Sequence, residues 1–211
     1  MLSLKICGLT SEENVTKILD LNPEFIGFIC HSKSPRFIPI TSPIISCISN
    51  IKQSVKTGVF VNENLNTIEK YIELMQLTAI QLYHEDISFV KGLKNRVKII
   101  KAVSIENESD FHNLEKHEQF CDYFLFDTKG LLKGGNGTKF DWKLLECYKG
   151  NKPFLISGGI NYKDALIIKT IKHNKLIGVD INSKFETEPG IKDFLKIKHF
   201  QTNLTYENNI T

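Results

Sequence analysis

Eight short runs of β-branched and apolar residues recur along the chain: Leu4–Cys7, Phe25–Ile29, Gly58–Val61, Ala79–Tyr83, Lys98–Val103, Tyr123–Asp127, Pro153–Ser157 and Ile177–Ile181. The stretches between them are too long for hairpins and long enough for one helix with two loops. Strand and helix alternating in this way predicts an α/β fold, a closed parallel (β/α)8 barrel of the TIM type, with function on its C-terminal rim. Along a strand, alternate side chains face opposite sides of the sheet. In Leu4-Lys5-Ile6-Cys7 the apolar pair should meet the helices, which turns Lys5 and Cys7 into the barrel. By the same rule Tyr123, Leu125 and Asp127 point inward, and Phe124 and Phe126 outward.

The intervening segments carry helix signals. Thr10-Ser11-Glu12-Glu13 opens a helix with acidic residues in its first turn, where they complement the dipole. Ser42-Pro43 offers a capping hydroxyl and a proline at the first helical position. Asn66 to Met75 sets Ile68, Ile72 and Met75 on one face. Asp141 to Tyr148, Tyr162 to Lys172 and Ile191 to Lys198 read as further helices, whereas Ile105 to Gln119 is polar and predicts a degenerate fifth helix. One barrel domain is expected over residues 1–200, with a polar, frayed tail over residues 201–211.

Composition narrows the range of functions. A chain of 211 residues with 41% hydrophobic content can fill a full core, near the lower size limit for this barrel. Net charge is +3 with both signs interspersed, so nucleic acid is not an expected partner. No apolar run approaches the roughly 20 residues of a membrane helix. Met1 to Lys5 leads straight into the first strand, which predicts no signal peptide. Five cysteines without paired spacing suit a reducing, cytoplasmic setting. CxxC and HExxH are absent, and no metal is expected.

Several rim residues can do chemistry. Cys7 and Asp127 would bring a thiol and a carboxyl to one mouth, where they can serve as general base and general acid. The plainer alternatives are a small buried hydrophobe for Cys7 and a strand cap for Asp127. Lys5 beside Cys7 is expected to favour the thiolate over a thiol whose free pKa is ~8.5. Ser157-Gly158-Gly159 and Asp180-Ile181-Asn182-Ser183 end the seventh and eighth strands, where such barrels commonly bind phosphate; an ordinary turn is the alternative. Lys133 to Thr138, rich in glycine, reads as a lid or as a plain connection. Arg36, behind the stiff Pro35, can clamp a carboxylate in bidentate fashion or simply be solvated.

Taken together, these segments resemble the phosphoribosylanthranilate isomerase family. The resemblance rests on Lys5-Ile6-Cys7-Gly8, Gly27-Phe28-Ile29 with Lys33-Ser34-Pro35-Arg36-Phe37, Gly58-Val59-Phe60-Val61-Asn62, Ile80-Gln81-Leu82 and Asp127-Thr128. It continues through Gly134-Gly135 to Phe140-Asp141-Trp142, then Ser157-Gly158-Gly159, Gly178-Val179-Asp180 and Glu188-Pro189-Gly190-Ile191-Lys192-Asp193. It implies an Amadori rearrangement of N-(5-phosphoribosyl)anthranilate in tryptophan biosynthesis, without metal or organic cofactor. It implies Asp127 as acid, Cys7 as base, Arg36 on the anthranilate carboxylate, and Gly158, Gly159 and Ser183 around the phosphate. Asp180 would bond sugar hydroxyls. The expected partner is thus a small phosphorylated molecule, and the chain is expected to be a monomer or a homodimer. Three positions depart from the family pattern: Tyr83 replaces an inward histidine, Asn136 stands between Gly135 and Gly137, and Lys184 replaces a glycine. Two alternatives are another phosphate-binding (β/α)8 sugar-phosphate isomerase and a non-catalytic ligand-binding barrel.

Overall fold

The computed structural model describes residues 2–129 and 139–205. Eight strands form a closed barrel in which each pairs in parallel with its sequence neighbours and β1 meets β8. They are β1 Ser3–Cys7, β2 Phe25–Ile29, β3 Val55–Val61, β4 Ala79–Tyr83, β5 Lys98–Ile105, β6 Tyr123–Thr128, β7 Phe154–Ile156 and β8 Leu176–Ile181. The (β/α)8 expectation therefore holds, with strand ends that differ from the sequence estimate by up to three residues.

The pleat sorts the side chains into two apolar layers. Cys7, Val59, Ala79, Tyr83, Ile100, Ala102, Leu125 and Leu155 cluster inside the barrel. Leu4, Ile6, Phe124 and Phe126 join the outer cluster against the helices, as alternation predicts. Phe126 is the hub of an outer aromatic group, with ring centroids 4.8 Å from Phe154, 5.0 Å from Phe111 and 5.1 Å from Tyr148.

Helix α1 spans Glu12–Leu19, with the Ser11 side chain accepting from the Asn14 N–H. Helix α2 spans Ile44–Asn50, and here Ser42 supplies no side-chain cap; Pro43 itself stands at the cap position. Helix α3 spans Leu65–Met75, capped by Asn64, with Ile68, Ile72 and Met75 buried as their spacing requires. The polar fifth unit is degenerate, a 3-10 turn at Glu108–Phe111 followed by the four-residue α4, Glu115–Glu118. The sixth is a 3-10 helix, Trp142–Cys147, and α5 is only Ala165–Lys169.

The largest departure from the sequence expectation follows β8. Ile191 does not begin a helix; β9 (Glu186–Glu188) and β10 (Ile191–Lys192) pair as an antiparallel hairpin. Its Pro189-Gly190 turn places Gly190 at φ +94°, and a Cβ there would run into the Thr10 side chain. Helix α6 then runs Phe194–Thr205, so the stretch from Gln201 expected to fray is helical as far as Thr205. Leu204 is buried, and Gln201 Nε2 donates to the Leu21 carbonyl at 2.9 Å. Residues 206–211 and the candidate lid at residues 133–138 lie outside the described residues.

Truncating the aromatic hub tests this packing. Phe126→Ala is expected to lower the unfolding free energy by about 3–5 kcal/mol in a urea titration; a loss under about 1 kcal/mol would contradict the outer-layer assignment.

Candidate active site

Strand β1 carries the barrel's most unusual core residue at its midpoint. Lys5 is fully buried, and its Nζ donates to Asp180 Oδ1 at 3.0 Å across the β1–β8 pairing. A lysine is rarely buried so completely without a partner, because isolated charge is costly in low dielectric. Burial opposes the ammonium, yet Asp180 and then Cys7 outweigh it and hold Lys5 above the ordinary lysine value.

Two residues beyond Lys5, Cys7 is buried on the same face. It lies against Gly27 of β2, where a Cβ would approach its Sγ to 2.7 Å, so glycine leaves the room that the thiol occupies. Burial pushes the Cys7 thiol above its ordinary value, while Lys5 and Lys192 pull it down and Asp180 adds to the rise. The expected effect of Lys5 is thus present in direction but is outweighed by burial, and the free protein holds the thiol form.

Asp127, near the end of β6, is buried; Tyr83 Oη donates to its Oδ2 at 2.7 Å and the Thr128 N–H to its Oδ1 at 2.9 Å. Burial raises the carboxyl to about 6; the Tyr83 bond opposes the rise and Asp180 adds to it. Tyr83 stays protonated well past neutrality, raised by burial and by the charges of Asp127, Asp180 and Cys7. Tyr83 shares the barrel-interior cluster with Cys7 and donates to Asp127, so thiol and carboxyl both belong to the barrel interior. Tyr83 is thus a donor to the Asp127 carboxylate.

Arg36 follows β2 in a turn where its backbone N–H donates to Ser34 Oγ at 3.1 Å. Its side chain lies directly over Gly8, φ +82°, where a Cβ would approach Arg36 Cδ to 2.6 Å and Asn182 Oδ1 to 2.7 Å. Glycine is needed here for clearance and for conformation. The guanidinium is not solvated: Nε and Nη2 donate to the two carboxylate oxygens of Glu186 at 2.7 and 2.5 Å. Glu186 also accepts from Lys192 Nζ, which in turn donates to Asn182 Oδ1 at 2.7 Å. Burial opposes its charge, yet Arg36 and Lys192 together hold Glu186 below the usual glutamate value.

Gly158 and Gly159 follow β7 half-buried, at φ +90° and +63°. A Cβ on Gly158 would fall on the Thr128 side chain and 2.6 Å from its amide nitrogen. Among the described residues neither glycine's N–H donates to a backbone carbonyl, which leaves both available to an anion. Ser183, half-buried after the adjacent β8, opens the 3-10 helix Ser183–Phe185, and its hydroxyl has no hydrogen bond among the described residues. Among the described residues no helix is long and apolar enough to cross a membrane.

Glu186 and Lys192 are the polar site-flanking residues that the sequence did not single out. The helical spacing of Ile191 to Lys198 hides Lys192, which stands in β10. The signal that identifies the hairpin is Pro189-Gly190 between two short runs. The arrangement as a whole can hold an anion at the β7–β8 loops, a second anion at Arg36, and move protons between a thiol and a carboxyl.

Removing half of the interior ion pair tests its structural weight. Lys5→Met leaves Asp180 buried without its partner and is expected to cost about 3–5 kcal/mol, read by urea denaturation. Adding Asp180→Asn should restore part of that loss; a Lys5→Met protein as stable as wild type would contradict the buried pair.

Comparison with known proteins agrees with this geometry. Residues 4–203 match the family described as N-(5'phosphoribosyl)anthranilate (PRA) isomerase. A relative from Campylobacter jejuni, named N-(5'-phosphoribosyl)anthranilate isomerase, is 39% identical over 209 residues, covering 97% of this chain and 99% of its own. The crystal structure of phosphoribosyl anthranilate isomerase from Thermotoga maritima superposes with a TM-score of 0.85 at 31% identity, covering 97% and 98% of the two chains. A phosphoribosyl anthranilate isomerase structure in complex with reduced 1-(o-carboxyphenylamino)-1-deoxyribulose 5-phosphate superposes with a TM-score of 0.82 at 29% identity over the same shares. By sequence match across nearly its whole length and by barrel geometry, the chain belongs to the N-(5'-phosphoribosyl)anthranilate isomerase family.

Proposed function

We propose that Cys7 is the general base and Asp127 the general acid of N-(5'-phosphoribosyl)anthranilate isomerisation. The reaction follows from family membership: an aldose–ketose Amadori rearrangement in tryptophan biosynthesis, yielding 1-(2-carboxyphenylamino)-1-deoxyribulose 5-phosphate. Asp127 gives its proton to the ribose ring oxygen as the C1–O bond breaks, leaving a Schiff base. Cys7, as thiolate, removes the proton from sugar C2, and the resulting enolamine relaxes to the ketone. Two proton transfers of this kind lie within the reach of general acid–base catalysis.

The observation that carries this reading is the Asp127 environment. A carboxyl raised to about 6 holds a far larger protonated fraction near neutrality than an exposed aspartate, and Tyr83 fixes its orientation at 2.7 Å. Arg36 then takes the anthranilate carboxylate. Gly158, Gly159 and Ser183 surround the phosphate, and Asp180, held by Lys5, faces the sugar hydroxyls. The small phosphorylated substrate is thereby gripped at both ends, with the scissile ring between acid and base. All five cysteines are unpaired, which supports a reducing, cytoplasmic setting.

The working state needs Asp127 protonated and Cys7 ionised, the reverse of the dominant form between their two pKa values. Below about 6 that state grows with pH, because Cys7 must lose a proton while Asp127 keeps its own. Between the two values it is a constant minor fraction, and above the Cys7 value it falls as the remaining proton leaves. Accordingly kcat/KM should rise to a breakpoint near 6, run level, and fall in the alkaline range. Tyr83→Phe removes a bond that favours the carboxylate, so the lower breakpoint should move upward; an unmoved or lowered breakpoint would refute the coupling.

Cys7→Ala and Asp127→Asn are each expected to lower kcat by about 10² or more, measured on purified protein. Near-wild-type turnover in either would remove that residue from its role. Complementation of a tryptophan auxotroph lacking this isomerase should succeed with the wild-type chain and fail with both variants.

A further inference from the structure

Arg36, Glu186 and Lys192 form a partly buried triad whose geometry leaves one edge of the arginine unused. A guanidinium offers a side-on edge, Nε with Nη2, and an end-on edge, Nη1 with Nη2. Glu186 takes the side-on edge with both its oxygens, at 2.7 and 2.5 Å. Among the described residues Nη1 has no hydrogen-bond partner, and the Arg36 side chain retains 12% exposure. The end-on edge is therefore the one that remains for a ligand.

Glu186 is itself held from several directions. Its Oε1 accepts from the Gly190 N–H at 3.1 Å and from Lys192 Nζ. Lys192 is anchored in turn, its backbone N–H donating to Asn14 Oδ1 at 2.8 Å and its carbonyl accepting from Asn14 Nδ2 at 2.9 Å. Asn14 belongs to α1, so the β9–β10 hairpin is tied to the first helix and the carboxylate cannot follow Arg36 elsewhere. With Lys192 as ammonium the triad carries one net positive charge, which offsets the repulsion between Glu186 and an incoming carboxylate.

We infer that Glu186, braced by Lys192, is a positioning residue that orients Arg36 end-on toward the aromatic carboxylate of the substrate. The inference rests on Arg36 being the carboxylate anchor. Glu186 touches no reacting atom; it removes the rotamer freedom that a long arginine would otherwise lose on binding, so carboxylate recognition is pre-organised. A carboxylate bound end-on gains two charge-assisted bonds without displacing Glu186.

The discriminating experiment compares two substrates, N-(5'-phosphoribosyl)anthranilate and its aniline counterpart lacking the carboxylate. The wild-type protein should prefer the first by at least about tenfold in kcat/KM. Arg36→Met should bring that ratio close to one, chiefly through KM. Glu186→Gln should lower it at least about fivefold, although it leaves Arg36 in place. A purely structural Glu186 would slow both substrates alike and keep the ratio, and that result overturns the inference while the Arg36 anchor stands. No preference in the wild type, or a preference that survives Arg36→Met, overturns the anchor and the inference with it. If Glu186→Gln does not fold, Glu186→Gln with Lys192→Met removes one charge of each sign and leaves no orphaned lysine. The same ratio decides there: a fall supports the positioning role and a wild-type ratio refutes it.

Discussion

The ion pair between Lys5 and Asp180 sits on the seam where the first and last strands meet. A parallel barrel must close between residues far apart in the chain, and here an ammonium and a carboxylate 3.0 Å apart mark the register of that closure. The pair is almost wholly shielded from water, so neither member is tolerable without the other. Its cost is matched by a consequence for the site. The same lysine lies beneath Cys7, and the same carboxylate raises Asp127 and Tyr83. Closing the barrel and setting the site's electrostatics are thus one physical event.

Around that pair, the same desolvation acts on two titratable groups that have different counterweights. Asp127 is lifted by burial but retained near neutrality by the Tyr83 hydroxyl and the Thr128 amide, so either protonation state is accessible. Cys7 is lifted by the same desolvation and moderated by two lysines, Lys5 and Lys192. A thiol made reluctant to ionise becomes a stronger base once ionised, which suits the removal of a weakly acidic carbon-bound proton. The β9–β10 hairpin borders the site, since the Lys192 charge lowers the Cys7 thiol and its Nζ, with Glu186, holds Arg36 in place.

Much of this was legible because period-two alternation is a backbone property. Leu4, Ile6, Phe124 and Phe126 had to face the helices, and that choice alone turned Lys5, Cys7 and Asp127 inward. The fifth unit was readable as degenerate because its residues offer no apolar face. What was not legible depends on distant partners. Nothing near Arg36 in sequence announces Glu186, 150 residues away, and Ile191 to Lys198 carries helical spacing that a Pro-Gly hairpin overrides for its first two residues. The pull of Lys5 on Cys7 is local and legible in the sequence, whereas the burial that outweighs it is a property of the assembled barrel. The tail from Gln201 is polar in sequence, yet buried Leu204 and the Gln201 bond to the Leu21 carbonyl dock one more turn of α6.

In the proposed reaction a thiol on β1 and a carboxyl on β6 act on one sugar held between Arg36 and the β7–β8 loops. A crystal structure of this chain with reduced 1-(o-carboxyphenylamino)-1-deoxyribulose 5-phosphate tests it most directly. Cys7 Sγ and an Asp127 oxygen are each expected within about 3–3.5 Å of the reacting part of the sugar. The carboxylate is expected at the end-on edge of Arg36 and the phosphate at the Gly158–Gly159 amides. A ligand bound in the reverse sense, or with either proton-transfer group beyond contact, would contradict it.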